Sequence, residues 1–219
     1  MTDAQALNGP MVAPASGGAP KSMVIFLHGY GSNGDDLIGL ASYWRAGLPD
    51  TVFVSPNAPQ ICPGAPGGYQ WWGLSGGDPA KRAEGVRQPA PVLNAFIDSL
   101  LVRFGLTEDR LALVGFSQGT MMALHVGPRR VKALAGIVGY SGALADPERL
   151  VEEVRSTPPV LLVHGDADPM VPFAALASAK AGLEQVGITV EAHTAPGLGH
   201  SIDEPGLRLG AQFLGRVLA

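Results

Sequence analysis

The pattern Gly-x-Ser-x-Gly occurs twice in this chain of 219 residues, centred on Ser75 and on Ser117. It serves nucleophilic catalysis when the serine lies on a sharp turn between a buried strand and a helix, where the glycines avoid steric clashes. Ser117 follows the apolar run 111–114 and precedes a run typical of a buried helix, 120–124. Ser75 lies in a Pro- and Gly-rich stretch with no strand before it. We therefore predict that Ser117 is a nucleophile and that Ser75 is a turn residue.

A serine hydroxyl needs an imidazole that accepts its proton. His193 lies inside a predicted strand, which favours a structural role. His164 ends a strand and comes before the candidate acids in the chain, whereas the base should follow the acid. His200 lies in a glycine-rich loop after the last predicted strand, from which an imidazole can reach across the top of a sheet. We predict that His200 is the base.

An acid must hold that imidazole in the correct tautomer. Asp166 and Asp168 both follow a predicted strand end. Asp166, next to a glycine, is placed to cap the turn, while Asp168 lies further along the loop. We predict that Asp168 is the acid, which gives the chain order Ser, Asp, His of the α/β-hydrolase fold.

Acyl transfer also requires hydrogen-bond donors for the developing oxyanion. One donor is usually the amide after the nucleophile, here that of Gln118, and the other comes from the loop after an early strand. The glycine-rich loop 28–32 fits this place, and its candidate donor is the amide of Tyr30. We expect His28 to brace this loop rather than to act in catalysis.

The segment 56–87 is rich in proline and glycine and has little apolar periodicity. Such stretches in compact domains are usually either functional or disordered, and its aromatic residues favour an ordered flap beside a cleft. Trp71 and Trp72 are therefore candidate substrate-binding residues. The alternative is that both side chains only cover the core.

The remaining pattern predicts the elements that must position these residues. Short apolar runs alternate with segments of helical period, which indicates an α/β fold with a mostly parallel central sheet flanked by helices. We expect a flexible N-terminal segment, residues 1–20, and a single domain, residues 21–219. The predicted strands are 23–27, 51–55, 111–115, 134–140, 160–164 and 189–195, and helical period is clearest at 92–104, 176–186 and 207–218.

Composition excludes several function classes. The formal net charge is -4 and no basic stripe is present, so we expect no nucleic-acid partner. The single cysteine, Cys62, cannot form an internal disulfide, and we predict neither a metal nor a cofactor. No signal peptide or bilayer-length apolar run is apparent, so we expect a cytoplasmic protein without stable membrane insertion.

Four blocks, correctly ordered and spaced, make the sequence similar to the phospholipase/carboxylesterase group of α/β-hydrolases, which includes the acyl-protein thioesterases. The resemblance implies a catalytic triad of Ser117, Asp168 and His200, an oxyanion hole at Tyr30 and Gln118, and a fold without a large cap. It also implies a small ester or thioester substrate and a homodimer. The blocks are residues 26–32, 115–119, 164–172 and 197–200.

Two features narrow the expected substrate. Tyr30 replaces a leucine-type residue of the group, and the sequence 70–73 has the more bacterial form, which favours a general carboxylesterase over a protein depalmitoylase. We therefore expect hydrolysis of short-to-medium acyl esters, with thioesters or lysophospholipids as further substrates. The alternatives are perhydrolase or haloperoxidase-like use of the same triad and a non-catalytic binding protein of this fold. Dienelactone hydrolases typically use a cysteine nucleophile, so Ser117 argues against them.

Overall fold

A seven-stranded sheet forms the centre of the molecule in the computed structural model, which describes residues 7–74 and 78–219. A separate two-stranded hairpin lies beside it. The strands of the central sheet are β1 (Met11–Val12), β2 (Ser22–Leu27), β3 (Thr51–Val54), β6 (Leu111–Phe116), β7 (Gly136–Tyr140), β8 (Val160–Gly165) and β9 (Val190–Ala195), and those of the hairpin are β4 (Gln60–Ile61) and β5 (Tyr69–Gln70).

The central sheet has the strand order β1-β3-β2-β6-β7-β8-β9 and is parallel except for β1. Its inner strands β2 and β6 are buried except for Phe116 at the end of β6, because helices cover both faces and a continuous apolar run then has no exposed side. The carboxyl ends of β6, β8 and β9 meet at one edge, so the loops that follow them converge there. This edge is where the predicted catalytic residues must lie.

Eight α-helices are present in the described residues. One apolar layer joins α4, α5 and α7 to one face of the sheet, and a second layer joins α1, α2 and α8 to the other face. Successive residues of β2 alternate between these layers, as the twofold period of a strand requires. The helices are α1 (Gly34–Leu37), α2 (Ala41–Trp44), α3 (Pro79–Arg87), α4 (Ala90–Phe104), α5 (Gln118–Val126), α6 (Pro147–Glu153), α7 (Ala174–Glu184) and α8 (Glu204–Val217).

The predicted fold class is confirmed. Each of the six predicted strands is present with its ends shifted by at most two residues, and the three segments of helical period form α4, α7 and α8. The largest shift is at residue 134, which precedes the start of β7 at Gly136. In the described part of the chain, the connection from β7 to β8 holds only the short helix α6, so no large cap covers the edge.

The N-terminal segment differs from the sequence prediction. Met11 pairs with Val54 at the edge of the sheet, and the carbonyl of Pro10 accepts a hydrogen bond of 3.0 Å from the amide of Ser55. The folded sheet therefore begins before residue 21. A strand of two residues is too short to show apolar alternation, so β1 could not be predicted from the pattern of apolar residues. Residues 1–6 lie outside the described residues.

The segment 56–87 forms the hairpin β4–β5 and the helix α3. Asp78 caps α3 by accepting a hydrogen bond of 2.9 Å from the amide of Ala80. None of the helices in the described ranges is long and apolar enough to cross a membrane.

Candidate active site

Ser117 lies at the turn between β6, which ends at Phe116, and α5, which begins at Gln118. Its backbone has φ 54° and ψ -115°, a region that residues other than glycine rarely adopt. Its amide donates a hydrogen bond of 2.9 Å to the carbonyl of Tyr140, which fixes the turn to the neighbouring strand β7. The surroundings thus hold a strained serine at the sheet edge, as an elbow for a nucleophile requires.

The two glycines around Ser117 are required by packing. A Cβ atom at Gly119 would overlap the carbonyl oxygen of Leu27, and one at Gly115 would overlap the backbone at Gly119 and Thr120. The spacing of the motif therefore reflects the close contact of β6, α5 and the end of β2. Ser75, at the centre of the other copy, lies outside the described residues.

His200 and Asp168 form a hydrogen bond of 2.7 Å between Nδ1 and Oδ2. The imidazole lies on the loop after β9, and its ring centroid is 4.8 Å from that of Phe116, next to Ser117. Ser117 and His200 line the same cavity. The structure thus brings together the three residues that the sequence singled out from distant parts of the chain.

The carboxyl group of Asp168 is buried and fully engaged. Its Oδ1 accepts hydrogen bonds from the amides of Met170, at 2.8 Å, and Val171, at 2.9 Å. Burial raises the pKa of Asp168, but the hydrogen bonds from His200, Val171 and Met170 together outweigh it and hold the pKa below its ordinary value. Asp168 is therefore an anion whose charge faces the imidazole.

A second imidazole contacts the same carboxylate, which the sequence analysis did not predict. Nε2 of His164 lies 3.4 Å from Oδ2 of Asp168 and 3.0 Å from the carbonyl oxygen of Val171. His164 thus supports the loop that carries Asp168. A histidine at a strand end directly before this loop was visible in the sequence, but only the structure gives its partner.

Asp166 has a backbone-holding role, but its partner lies in another loop and not in its own turn, where its place beside a glycine predicted it. Its Oδ1 accepts a hydrogen bond of 2.6 Å from the amide of Gly197. This bond also ties the loop after β8 to the loop that carries His200. The two aspartates therefore have different partners: Asp166 bonds to the backbone of the loop that carries His200, and Asp168 bonds to the imidazole itself as well as to two amides of its own loop.

The loop after β2 lies directly against Ser117. A Cβ atom built on Gly29 would be 3.3 Å from Cβ of Ser117, so the backbone here approaches the turn closely. The loop is held by the hairpin, because the amide of Gly31 donates to the carbonyl of Tyr69, at 2.9 Å, and the amide of Tyr69 donates to the carbonyl of Ser32, at 2.7 Å. Tyr30 lines the cavity with Ser117.

His28 braces this loop from below, as expected. Its Nε2 accepts a hydrogen bond of 2.9 Å from the amide of Ala58, so Nδ1 carries the proton and donates to the carbonyl of Gly29 at 2.7 Å. Burial lowers the pKa of His28, which keeps the ring neutral. A ring occupied at both nitrogens is unsuited to proton transfer in the cavity.

The side chain of Gln118 has a role that the sequence analysis missed. It is 2% exposed; its Oε1 accepts from the amide of Trp71 and its Nε2 donates to the carbonyl of Trp72, both at 2.9 Å. Gln118 therefore fastens the segment 56–87 to the turn that carries Ser117. The sequence alone carried no signal for this, since the two positions are far apart in the chain.

The cavity at the sheet edge has a volume of about 420 Å³, within the range of small-molecule sites. Trp72 lines it, whereas Trp71 lies behind the wall, fully buried, with its indole N–H donating to the carbonyl of His28 at 3.0 Å. Of the two predicted substrate-binding tryptophans, only Trp72 thus reaches the cavity. The other lining residues are Gly29, Tyr30, Ser32, Asp36, Leu74, Asp78, Arg82, Phe116, Ser117, Gln118, Met121, Met170, Val171, Pro172 and His200.

The lining of the cavity combines apolar and polar side chains. Tyr30, Leu74 and Met170 contribute apolar surface, and Ser117 and His200 supply polar atoms. Three charged side chains also line the cavity, those of Asp36, Asp78 and Arg82. Within residues 7–74 and 78–219, no group of three or more His, Cys, Asp and Glu residues is placed to hold a metal ion.

Comparison with known proteins also indicates a hydrolase. Residues 8–218 match the family model described as phospholipase/carboxylesterase. An acyl-protein thioesterase 1 from Neurospora crassa is 30% identical over 208 residues, which cover 88% of this chain and 84% of the relative. An acyl-protein thioesterase 1 from Schizosaccharomyces pombe is 33% identical over 183 residues, covering 80% of each.

Among solved structures, that of esterase PE8 superposes with a TM-score of 0.93 at 45% sequence identity. The match covers 97% of this chain and 99% of that one.

Proposed function

Because this chain belongs to the phospholipase/carboxylesterase family of hydrolases, we propose that it is a serine carboxylesterase acting on short-to-medium acyl esters. The observation that carries the proposal is the 2.7 Å hydrogen bond from His200 to the buried Asp168, in a cavity shared with the strained Ser117. The esterase and thioesterase names of the relatives agree with this chemistry.

In the proposed first step, the Ser117 hydroxyl attacks the ester carbonyl while Nε2 of His200 takes its proton. The imidazolium that forms is stabilised by Asp168, whose lowered pKa keeps it ionised. His200 then gives the proton to the departing alkoxide, which leaves an acyl group on Ser117. Water attacks this ester in the second step, with His200 again as base.

The negative charge of each tetrahedral intermediate would be held by the amides of Gln118 and Tyr30. The amide of Gln118 belongs to the first turn of α5, where N–H groups have no partner within the helix. The positive end of the helix dipole adds to the stabilisation. Support for Tyr30 comes from the close approach of its loop to Ser117.

Thioesters are included in the proposal because the two fungal relatives are named acyl-protein thioesterases. The same acyl-enzyme chemistry serves both substrate classes, since only the leaving group differs. Trp72 is proposed as the substrate-binding tryptophan. On the family resemblance we also propose a homodimer in the cytoplasm, which sedimentation and fractionation would test.

The function is tested by hydrolysis of p-nitrophenyl esters and matched acyl thioesters. Ser117→Ala should reduce kcat by a factor on the order of 10⁴ to 10⁶ without lowering the melting temperature, since it removes the nucleophile alone. The matched control is Ser75→Ala, in the other copy of the motif, which should keep full activity. Retained activity in Ser117→Ala, or an equal loss in Ser75→Ala, would refute the assignment.

A further inference from the structure

Arg82 on α3 lies between two cavities. The first is the cavity of Ser117 and His200, and the second, with a volume of about 210 Å³, lies next to it. Both cavities are lined by Arg82, Val171 and Pro172, so these three residues form their common wall.

The second cavity suits an alkyl chain. Apart from the three shared residues, it is lined by small or apolar side chains from the connection after β7, from α6 and from α7, with one serine among them. It lies close to the reacting groups, because the amide of Val171 in the common wall bonds to Asp168. These lining residues are Ala143, Leu144, Pro147, Ala175, Ser178 and Ala179.

Arg82 is the least constrained part of this wall. Among the described residues no carboxylate lies within ion-pair distance of its guanidinium, and its buried Nε has no hydrogen-bond partner there. Arg87 on the same helix is different, because it pairs with Asp146 and with Glu153, each at 2.6 Å. The long apolar stem of an arginine can itself cover apolar surface. Arg82 thus fills space in the wall without serving as an anchor.

We propose that Arg82 determines substrate specificity by closing the active-site cavity off from the second cavity, which limits the length of the ester's alkyl chain. This inference rests on the proposed function for the site itself, but it concerns selection and not chemistry. Shortening Arg82 joins the two cavities and lets a longer chain pass beside Val171 and Pro172. Each methylene that enters an apolar cavity improves kcat/KM by about fourfold.

The test compares chain-length profiles of Arg82→Ala and the unmodified enzyme. One series varies the acyl chain of p-nitrophenyl esters, and a second varies the alcohol chain of alkyl acetates, so that the two sides of the ester are distinguished. We expect the optimum of one series to move to longer chains in Arg82→Ala. Three further methylenes would change the relative kcat/KM by about 60-fold.

Three further variants separate volume from charge and from general damage. Arg82→Met keeps a long side chain without the charge and should keep the original profile, as should Lys81→Ala at the exposed neighbouring position. Ala175→Leu, which narrows only the second cavity, should cancel the gain when combined with Arg82→Ala. If Arg82→Met behaves like Arg82→Ala, or if both series keep their optimum in Arg82→Ala, the proposal is wrong.

A binding measurement keeps the test independent of turnover. In the Ser117→Ala background, the dissociation constants of straight-chain carboxylates from butanoate to dodecanoate are measured with and without Arg82→Ala. Affinity should continue to rise at longer chains only when Arg82 is shortened. If the unmodified protein hydrolyses no ester, the proposed function is refuted. If the binding profiles are the same with and without Arg82→Ala, only the role of Arg82 is refuted.

Discussion

Two regions of the molecule build the site in different ways. At the carboxyl edge of the sheet, the loops after β6, β8 and β9 hold Ser117, Asp168 and His200 through backbone hydrogen bonds and close glycine packing. The segment 56–87 instead forms a wall of the cavity beside the sheet, and it is held by backbone hydrogen bonds of Tyr69 to the loop after β2 and by the buried side chain of Gln118. The first region thus belongs to the central sheet and its loops, whereas the second is attached to them, in part through a side chain that can be replaced.

The two regions are expected to determine different properties of the site. A reacting group must be held within a fraction of an ångström, which rigid backbone provides. A wall needs only to offer suitable shape and polarity. We therefore expect changes at the edge to affect kcat strongly, and changes in the segment to affect KM and substrate preference.

The strongest expected effect within the edge distinguishes its two aspartates. Asp168→Asn should lower kcat by a factor on the order of 10⁴, because the amide cannot hold the required tautomer of His200. Asp166→Asn keeps an oxygen acceptor for the amide of Gly197 and should lose less than about tenfold. Steady-state kinetics on one ester measures both, and a larger loss in Asp166→Asn would exchange their roles.

The next effect concerns His125, at the end of α5 that is remote from Ser117. Burial, followed by the nearby charge of Arg129, lowers the pKa of His125 to about 4. The unfolded chain binds a proton at this histidine below pH 6.5 and the folded chain does not. The free energy of unfolding should therefore fall by up to about 3 kcal/mol as the pH falls from 6.5 towards 4.

The part of this pH dependence that comes from His125 can be removed without touching the proposed chemistry. His125→Phe should make the fall between pH 6.5 and 4.5 shallower, measured by urea unfolding, and should leave the part that comes from His28, whose pKa burial also lowers. His193→Gln, on the edge strand β9, serves as the matched control and should retain the fall. An unchanged slope in His125→Phe would show that another group controls acid stability.

A smaller effect on stability and on KM is expected from the side chain of Gln118, which joins the two regions. Gln118→Met keeps the backbone amide proposed for the oxyanion hole but leaves the buried amide of Trp71 and carbonyl of Trp72 without partners. The free energy of unfolding should fall by about 2 kcal/mol. KM should rise several-fold while kcat changes by less than about threefold, as for loss of ground-state binding. A large loss of kcat with unchanged KM would place the side chain in the chemistry instead.

The edge of the sheet could be predicted from the sequence almost completely. Buried parallel strands are continuous apolar runs, and the elbow imposes two glycines at fixed distances from Ser117, so both leave local signals. The order of Asp168 and His200 in strand-end loops supplied the rest. These features are dictated by backbone sterics, which a sequence records directly.

The structure of the segment 56–87 could not be predicted in the same way. The strands of the hairpin have two residues each, so they show no apolar period from which the directions of neighbouring side chains could be predicted. Trp71 and Trp72 were therefore both predicted to bind substrate, although only Trp72 lines the cavity. The contacts of Gln118 and Arg82 join positions distant along the chain and depend on the tertiary packing. The edge strand β1 was missed for the same reason as the hairpin.

Covalent trapping of the nucleophile tests the central claim most directly. An alkyl fluorophosphonate reacts with an activated serine and mimics the tetrahedral intermediate, and mass spectrometry of the digested protein locates the adduct. We predict a single adduct on the peptide that contains Ser117, formed much more slowly in His200→Ala. An adduct on Ser75, or labelling of Ser117 at an equal rate without His200, would contradict the account.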